Sequence, residues 1–418
     1  MVSRKRQFSR ALVALSLTLA LVAAACGSSS KSGGSGDAAG TTVAAPTGTP
    51  LKIGWVGTIT TANGVTPNQS KDTMDSWVSW TNTHGGLNGH PVEIAYADDK
   101  ADPAVGLSAV KDLVENQHVI AIVGSADATH QTWAPYVLSK KMPVISGPLV
   151  DAVWFTNAMF YPVGGSVVTN IWGQMKSAAE AGNKKVAVVL CTESPACAQA
   201  QPLFTKNATD VGMQMVYNAL ASTTQASYTA ECLAAKNAGA EAVANFTNVV
   251  VMVRDCSRQN FKPFWISADQ GPGISLIKQQ PDLGKAVGSS EQWNCLDTTI
   301  PETKNLNAAL KVKHPEWLPG GKNADIATGG CTAWAASLAF TKAIANVAPA
   351  PTATVTSDDV IRGLSMFKGE TLGGIAPPLT YSDGTKPNPQ VTCTFLYKWD
   401  NLKLISVPGP AGLWTCNP

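Results

Sequence analysis

The residues best suited to hold a small molecule lie in the loop Gly124-Ser125-Ala126-Asp127-Ala128-Thr129, between an apolar strand and the start of a helix. The backbone N–H groups at a helix start have no partner inside the helix, and hydroxyl side chains add further donors. Ser125 and Thr129 carry those hydroxyls, with Ala126 between them. The loop therefore predicts a site for a carboxylate or another acceptor-rich group. The alternative is structural, because Asp127 or Thr129 would also cap the helix.

Further candidate ligand-binding residues lie near the ends of other predicted strands. They are Thr60, Ser146, Asn248, Asp269 and Gln270. Asp269 follows the strand Pro263–Ser267, and a carboxylate in a closing cleft favours a cationic group. Asn248 offers an amide after another strand. For Asp269 and Asn248, a turn or cap role is the alternative.

The N-terminus predicts export and anchoring. A basic stretch with four Lys and Arg residues, the apolar run Ala11–Val22 and the small residues Ala23–Ala25 form a signal peptide over residues 1–25. Cys26 follows directly, and this arrangement resembles the lipobox of bacterial lipoproteins, in which the cysteine is lipid-modified. An ordinary secretory peptide is the alternative. Residues 26–50 are rich in Gly and Ser, and we expect them to form a flexible tether.

The other cysteines predict disulfides. Eight cysteines are left after Cys26, and an even set in an exported chain favours disulfides, although 105 connectivities exist. We expect sequential pairs because each would join neighbouring elements: Cys191–Cys197, Cys232–Cys256, Cys295–Cys331 and Cys393–Cys416. Zinc is the alternative, but the chain has no CxxC spacing and its five histidines are scattered. We expect no metal and no cofactor.

Charge and motifs exclude several classes of function. Removal of the basic N-terminal residues leaves 27 Lys and Arg against 29 acidic residues, so nucleic acid is not an expected partner. The later apolar stretch Ala242–Val253 is interrupted by polar residues and does not predict a membrane span. Gly320-Gly321-Lys322 lacks the remainder of a phosphate loop. The chain has no Gly-x-Ser-x-Gly motif, and Ser275–Lys278 lacks the accompanying lactamase motifs.

Strands and helices are predicted to alternate from residue 51 onward. The predicted strands are 51–56, 90–96, 119–123, 143–146, 185–190, 213–217, 242–246 and 263–267, with a final hairpin 391–399 and 403–407. Such alternation predicts parallel sheets flanked by helices, here in two open α/β lobes. Ligands of open parallel sheets bind at the carboxyl ends of the strands, so two facing lobes predict a shared cleft.

Several stretches together resemble the type I periplasmic solute-binding proteins of ABC transporters, in particular the leucine/isoleucine/valine-binding branch. Residues 82–124 (NTHGGLNGHPVEIAYADDKADPAVGLSAVKDLVENQHVIAIVG) are similar to that family's helix, turn, strand, acidic loop, helix and strand in unbroken order. Residues 142–147 (MPVISG) resemble its next strand, and residues 370–381 (ETLGGIAPPLTY) resemble the segment that enters the last crossing. The resemblance covers residues 51–418.

This resemblance implies an α/β fold of two Rossmann-like lobes, joined by a three-strand hinge that closes on the ligand. The lobe boundaries that we expect are 51–163 and 295–375 for the first lobe, and 164–294 and 376–418 for the second. The expected crossings lie near 161–165, 292–297 and 373–379.

The resemblance also implies roles for the candidate residues. The loop after Gly124 would grip a ligand carboxylate, and Asp269 would pair with a ligand ammonium. Two departures leave the ligand open, however: Ala128 stands where amino-acid binders have a second serine, and residues 147–150 replace their Pro-Ala-Ala-Thr stretch. Amino acids, amides, organic acids and aromatic solutes are all compatible.

The implied function is non-enzymatic capture of a small molecule by an extracytoplasmic, monomeric protein anchored to the cell membrane through Cys26. The partners would be an ABC permease and a separate ATPase. A ligand sensor with the same fold is the second class of function, and an exported hydrolase is the third.

Overall fold

The structure, a computed structural model, describes residues 44–61, 64–65, 68–127, 129–193, 195–268, 271–318, 321, 328–410 and 412–417. The expected signal peptide, Cys26 and most of the expected tether lie outside these residues, as do Asp269 and Gln270.

The first part of the chain forms a five-stranded sheet in which every pair is parallel, in the order β4-β1-β5-β6-β7. The helices and strands in this part of the chain are β1 (Leu51–Gly57), β2 (Thr60–Thr61), β3 (Gly64–Val65), α1 (Gln69–Thr83), β4 (Val92–Asp98), α2 (Pro103–Glu115), β5 (Ile122–Val123), α3 (His130–Lys140), β6 (Val144–Ile145), α4 (Val153–Thr156) and β7 (Phe160–Tyr161). Apolar residues face both sides of this sheet. Ile53 packs in one cluster and Val56 in another, as expected for a sheet with helices on both faces.

The middle of the chain forms the parallel part of a second sheet, in the order β12-β11-β10-β8-β9. Its elements are α5 (Val167–Glu180), β8 (Lys185–Cys191), α6 (Pro195–Asp210), β9 (Gln214–Ala221), α7 (Thr229–Asn237), β10 (Ala242–Asn245), α8 (Val249–Arg258), β11 (Phe264–Ala268), α9 (Gly273–Gln279) and β12 (Val287–Ser290). Val188 and Val189 again pack in different clusters, on opposite faces of the sheet.

The last part of the chain contributes helices to the first lobe and strands to the second sheet. It contains α10 (Pro301–Lys313), α11 (Thr328–Val347), α12 (Ser357–Ser365), β13 (Lys368–Glu370), β14 (Leu379–Thr380), β15 (Cys393–Asp400), β16 (Lys403–Val407) and β17 (Thr415–Cys416). Residues of α10, α11 and α12 pack in the core of the first lobe. The strand β15 joins the second sheet antiparallel to β12, and the predicted hairpin with β16 is present. The predicted α/β fold is confirmed.

Three passages of chain connect the lobes: residues 162–166, 291–300 and 381–392. The third passage lies further along the chain than the expected 373–379, because β14 pairs with β13 inside the first lobe. Two glycines of the first passage lie close to the backbones of neighbouring segments. A Cβ on Gly164 would lie 2.5 Å from Glu291 O, and a Cβ on Gly165 would lie 2.6 Å from Cys393 O. Only glycine permits this close approach of backbones.

The structure contains the four sequential disulfides: Cys191–Cys197, Cys232–Cys256, Cys295–Cys331 and Cys393–Cys416. Each joins neighbouring elements, as the sequence predicted; Cys393–Cys416, for example, links directly paired residues of β15 and β17. Among the described residues, no cluster of three or more His, Cys, Asp or Glu side chains has the arrangement of a metal site. None of the helices described has the length and hydropathy needed to cross a membrane.

Candidate functional site

A cavity of about 450 Å³ lies at the carboxyl ends of the strands of both sheets. The first wall comes from the loops after β5 and β6 in the first lobe: Ser125, Ala126, Pro148, Leu149 and Val150. The second wall comes from the second lobe: Val167, Asn170, Ile171, Gln174, Leu190, Cys197, Ala200, Phe204, Phe246 and Ala268. Glu291, Gly329 and Thr332 close the hinge side. Five of these side chains are polar, so the cavity is mainly apolar with a few fixed polar groups, as is common for small-molecule sites.

In the first wall, Ser125 is the start of a buried chain of hydrogen bonds. Its Oγ lies 3.3 Å from His130 Nε2, and His130 Nδ1 lies 3.1 Å from Asp151 Oδ2. The hydrogen bond with His130 holds the pKa of Asp151 below its ordinary value, against the opposing effect of burial. A serine, a histidine and an aspartate in this order also form the catalytic triad of serine hydrolases.

Aromatic side chains hold His130 in place. Its ring is fully buried, with ring centroids 5.2 Å from Trp133, 5.2 Å from Trp154 and 6.1 Å from Phe160. Gly147 lies against the serine, since a Cβ there would be 2.5 Å from Ser125 Oγ and 2.9 Å from Trp154 Cζ2. The position and orientation of Ser125 are therefore fixed by its neighbours in the protein.

The second wall is formed mainly by one face of α5 and by two phenylalanines. Ser166 caps α5 by accepting from Thr169 N. Asn170 and Gln174 are four residues apart and so lie on one helix face. Phe204 and Phe246 pack edge to face with centroids 5.3 Å apart. This wall thus combines two amides with a large apolar surface.

Gln174 differs from the other polar lining residues. Its side chain is 2 % exposed, and its Oε1 has no hydrogen-bond partner. Asn170, in contrast, receives the Ser289 hydroxyl on both its backbone O, at 2.7 Å, and its Oδ1. On the hinge side, Thr332 Oγ1 donates to Gln292 Oε1 at 3.0 Å. A buried amide oxygen without a partner is unfavourable unless a ligand or water supplies a donor.

Of the sequence candidates, Ser125 and Ala126 line the cavity. Thr129 occupies the N-cap position of α3 without a side-chain cap hydrogen bond, and its Oγ1 instead donates to Asp127 Oδ1 at 2.6 Å. Asn248 caps α8, where its Oδ1 accepts from Val251 N at 3.2 Å. In both cases, a residue close by in the sequence forms a hydrogen bond with the side chain that was expected to contact a ligand.

Two further candidates lie away from the cavity lining. Thr60 Oγ1 hydrogen-bonds to Asp98 Oδ2 within the first lobe. The Ser146 side chain is fully buried, and its hydroxyl has no hydrogen-bond partner. Asp269 and Gln270 fall outside the described residues, directly after Ala268, which lines the cavity.

The sequence analysis did not identify the second wall. Ser166 followed by the pair Asn170 and Gln174 is a usable signal, because a cap fixes the start of the helix and the spacing places both amides on one face. The contact of Phe204 with Phe246 has no comparable local signal, since the two residues come from different elements.

Comparison with known proteins gives consistent results. Residues 50–403 match the family model described as periplasmic binding protein. A search of curated proteins found no match. A leucine-binding protein of Thermotoga maritima is 13 % identical, with a TM-score of 0.64 over 86 % of this chain and 99 % of that chain.

Two other solved structures are similar over comparable lengths. A fatty acid ABC transporter substrate-binding protein of Thermomonospora curvata is 14 % identical, with a TM-score of 0.64 over 88 % of this chain and 93 % of that chain. A solute-binding protein of R. palustris in complex with 4-hydroxybenzoate is 17 % identical, with a TM-score of 0.60 over 86 % of this chain and 95 % of that chain.

Proposed function

This chain belongs to the periplasmic binding protein family, and on that premise we propose that it captures a small organic molecule between its two lobes. The observation that carries the proposal is the cavity itself. It lies at the carboxyl ends of both sheets, where open α/β folds bind ligands, and both lobes contribute to its lining.

Closure of the lobes is the proposed mechanism of capture. Val150 of the first wall is 58 % exposed, and Val167 of the second wall is 38 % exposed. A ligand that brings the walls together buries such apolar side chains, and their burial stabilises the closed form. The neighbours named above bind leucine, fatty acid and 4-hydroxybenzoate according to their descriptions, all small organic molecules with an apolar part.

Ser125 and Ala126 are the proposed ligand contacts of the first lobe. Asp269 and Gln270 stay proposed contacts of the second lobe, because the residue before them lines the cavity. Thermal unfolding in the presence of amino acids, amides, aromatic acids and polyamines tests the proposal, since a ligand that binds only the folded state raises the midpoint. A hit that also reduces the radius of gyration in X-ray scattering supports closure. A hit that leaves the radius of gyration unchanged contradicts the closure mechanism.

We further propose that the protein works outside the cytoplasm, held to the cell membrane by a lipid on Cys26, and passes its ligand to an ABC permease with a separate ATPase. It would act as a monomer and without a cofactor. The supports are the family and the sequence of residues 1–50. Radioactive palmitate labelling of cells that express the chain should mark the wild type and not a Cys26→Ala variant; equal labelling would contradict the anchor.

A ligand sensor is the alternative use of the same cleft. Uptake of the identified ligand separates the two functions. If cells that lack this protein take up the ligand as fast as wild-type cells but lose their response to it, the sensor is favoured over the importer.

A further inference from the structure

We propose that the disulfide Cys191–Cys197 is a redox switch for the cavity: a dithiol reductant opens it in the folded protein, and the freed start of α6 then weakens ligand capture. This inference rests on the proposed function above, because it assigns a mode of regulation to the same cavity. Three observations carry it: the place of the disulfide in the cavity wall, its accessibility to a reductant, and the contacts that hold its two ends.

The disulfide joins two elements that both line the cavity. Cys191 is the last residue of β8, and Cys197 lies in the first turn of α6. Leu190 of β8 and Cys197, Ala200 and Phe204 of α6 are lining residues. Among the described lining residues, none belongs to the other three disulfides. Cys191–Cys197 therefore fixes the start of α6 against the end of β8, and with it one side of the second wall.

Two of the other disulfides are closed to a reductant. The four cysteines of Cys232–Cys256 and Cys295–Cys331 are each at most 2 % exposed. Thiol–disulfide exchange requires a thiolate to reach a sulfur atom. These two buried disulfides therefore react only after unfolding.

Cys191–Cys197 is more accessible. Cys191 is 9 % exposed, Cys197 is partly buried, and the two residues that follow Cys191 are exposed. Cys393–Cys416 is comparable, since Cys416 is exposed. We therefore expect exchange in the folded protein at these two disulfides, of which only Cys191–Cys197 contributes to the cavity.

The strand side of the disulfide keeps other contacts when the S–S bond opens. Glu193, two residues after Cys191, is tied to the segment that follows β9. Its Oε1 accepts from Ser222 Oγ at 2.5 Å and from Thr223 N at 2.8 Å. These hydrogen bonds hold the end of β8 without the disulfide.

The helix side is anchored further along α6. Gln201 Nε2 donates to Asn218 Oδ1 at 2.9 Å, and Phe204 is 1 % exposed in the core. Both anchors lie after the first turn. Opening the disulfide therefore frees the start of the helix, which carries the lining residues Cys197 and Ala200, and leaves the remainder of α6 packed.

The exchange takes place in two steps. One thiolate of the dithiol attacks Cys197 Sγ, the more exposed sulfur, and forms a mixed disulfide, while Cys191 leaves as a thiolate and takes up a proton. The second thiolate of the dithiol attacks its own partner sulfur in the mixed disulfide, so that the dithiol closes to a cyclic disulfide and Cys197 leaves. Two electrons pass from the dithiol to the protein.

The position of Cys197 favours the reduced form. Cys197 lies in the first turn of a helix of 16 residues. The partial positive charge of a helix N-terminus stabilises a thiolate there. A disulfide whose reduced form is stabilised in this way is more readily reduced.

Differential alkylation tests which disulfides react. The full chain is treated with dithiothreitol at neutral pH without denaturant, alkylated with iodoacetamide and mapped by mass spectrometry. We expect Cys191 and Cys197 to be labelled about ten times faster, or more, than the cysteines of the two buried disulfides. Equal labelling of all eight cysteines, or no labelling of Cys191 and Cys197, would overturn the inference.

Hydrogen exchange on the same samples measures the freed segment without any ligand. The backbone amides of residues 199–201 donate to the first residues of α6, so their exchange should be about ten times faster after reduction. The amides after Phe204 should keep their protection. Unchanged exchange at residues 199–201 would overturn the inference.

Titration links the switch to capture. Leucine, octanoate and 4-hydroxybenzoate serve as probes, because three structural neighbours are described as binding leucine, fatty acid and 4-hydroxybenzoate. A probe that binds the oxidised protein should bind about ten times more weakly after reduction, and should regain its affinity when oxidised glutathione re-forms the disulfide.

The outcomes separate this inference from the proposed function. Equal affinity in the oxidised and reduced states would overturn the switch and leave capture in the cleft intact. If no probe, and no compound of the thermal unfolding panel, binds the oxidised protein, the proposed function fails and the regulation of capture fails with it.

Two double variants separate the accessible disulfides. Cys191→Ser with Cys197→Ser should show the weak affinity of the reduced protein both with and without dithiothreitol. Cys393→Ser with Cys416→Ser is the matched control, because it removes the other accessible disulfide, and it should keep the full response to dithiothreitol. A response that persists in the first double variant, or that is lost in the second, would overturn the assignment of the switch to Cys191–Cys197.

Discussion

The first wall of the cavity is a pair of loops in which the polar atoms are already hydrogen-bonded, whereas the second wall is a helix face and two phenylalanines with one amide oxygen left without a partner. Ser125 is held by His130, and its setting is buried. Gln174 Oε1 has no hydrogen-bond partner. For the proposed ligand site, this difference predicts that the first lobe sets the orientation of the ligand and the second lobe sets the size and shape of its apolar part.

The largest expected effect lies in the second wall. Phe204→Ala should lower the free energy of unfolding by about 3–5 kcal/mol, because the side chain is 1 % exposed and its removal leaves a cavity. It should also shift ligand preference toward compounds with a bulkier apolar part. Urea unfolding and titration measure the two effects. Phe155→Ala is the control, since Phe155 is only partly buried and belongs to the other lobe; an equal loss there would argue against the special role of Phe204.

The disulfide Cys191–Cys197 is the next way to test the second wall. Replacing both cysteines by serine should lower the free energy of unfolding by about 2–4 kcal/mol, and should weaken ligand binding because Cys197 and Ala200 line the cavity. The matched control replaces Cys232 and Cys256, which pack in the core away from the lining. If both double variants reduce affinity equally, the effect is on stability alone.

In the first wall, Gly147→Ala should disturb the orientation of the ligand. The new Cβ would lie 2.5 Å from Ser125 Oγ, and such overpacking costs about 1–3 kcal/mol. We expect the affinity for a ligand found by thermal unfolding to fall while the preferred apolar part of the ligand stays the same. An altered preference for the apolar part in titration would contradict the division between the walls.

The smallest expected effect is a change in the pH dependence of stability, and it concerns the neighbouring carboxyl groups of Asp99 and Asp127. Burial raises the pKa of Asp99, and the neighbouring Asp127 adds to the rise against hydrogen bonds from Ala101 and Thr58. Because the folded state holds this proton more tightly than the unfolded state, this contribution to stability is complete below the ordinary pKa of aspartate and is lost as pH rises through the raised pKa.

Asp99→Asn removes that dependence. At pH 7 the variant should be more stable by about 1 kcal/mol, because an amide N–H can donate to Asp127 where a carboxylate cannot. Thermal unfolding from pH 3 to pH 7 should show the two proteins converging at acid pH. A variant that is less stable than the wild type at pH 7 would contradict the assignment.

The fold was predictable because its signals are local. The apolar run of β5 and the Asp102-Pro103 start of α2 carry their structure within a few residues, since Asp102 caps α2 with its own side chain. The helix α5 was not predicted. Most of its residues are buried, since it packs against β12 and β15 in addition to the neighbouring helix α6, so no clear polar face marks it in the sequence.

The site was predictable only in part, for a related reason. Ser125 follows a strand, and the end of a strand is visible in the sequence. Whether a polar atom is free is not visible there. In the sequence, Thr129 and Asn248 resemble ligand contacts, but in the structure their polar atoms form hydrogen bonds with nearby residues. Gln174 resembles an ordinary helix residue in the sequence, but in the structure its Oε1 has no hydrogen-bond partner.

The glycine contacts at Gly164 and Gly165 limit how the molecule moves. They place the first passage against the backbone of Glu291 in the second passage and against the backbone of Cys393 at the start of β15, directly after the third passage, so a side chain at either glycine would push these segments apart. Under the proposed closure, ligand binding would reorient the outer faces of the lobes relative to each other, and a membrane partner would detect that reorientation without contacting the ligand.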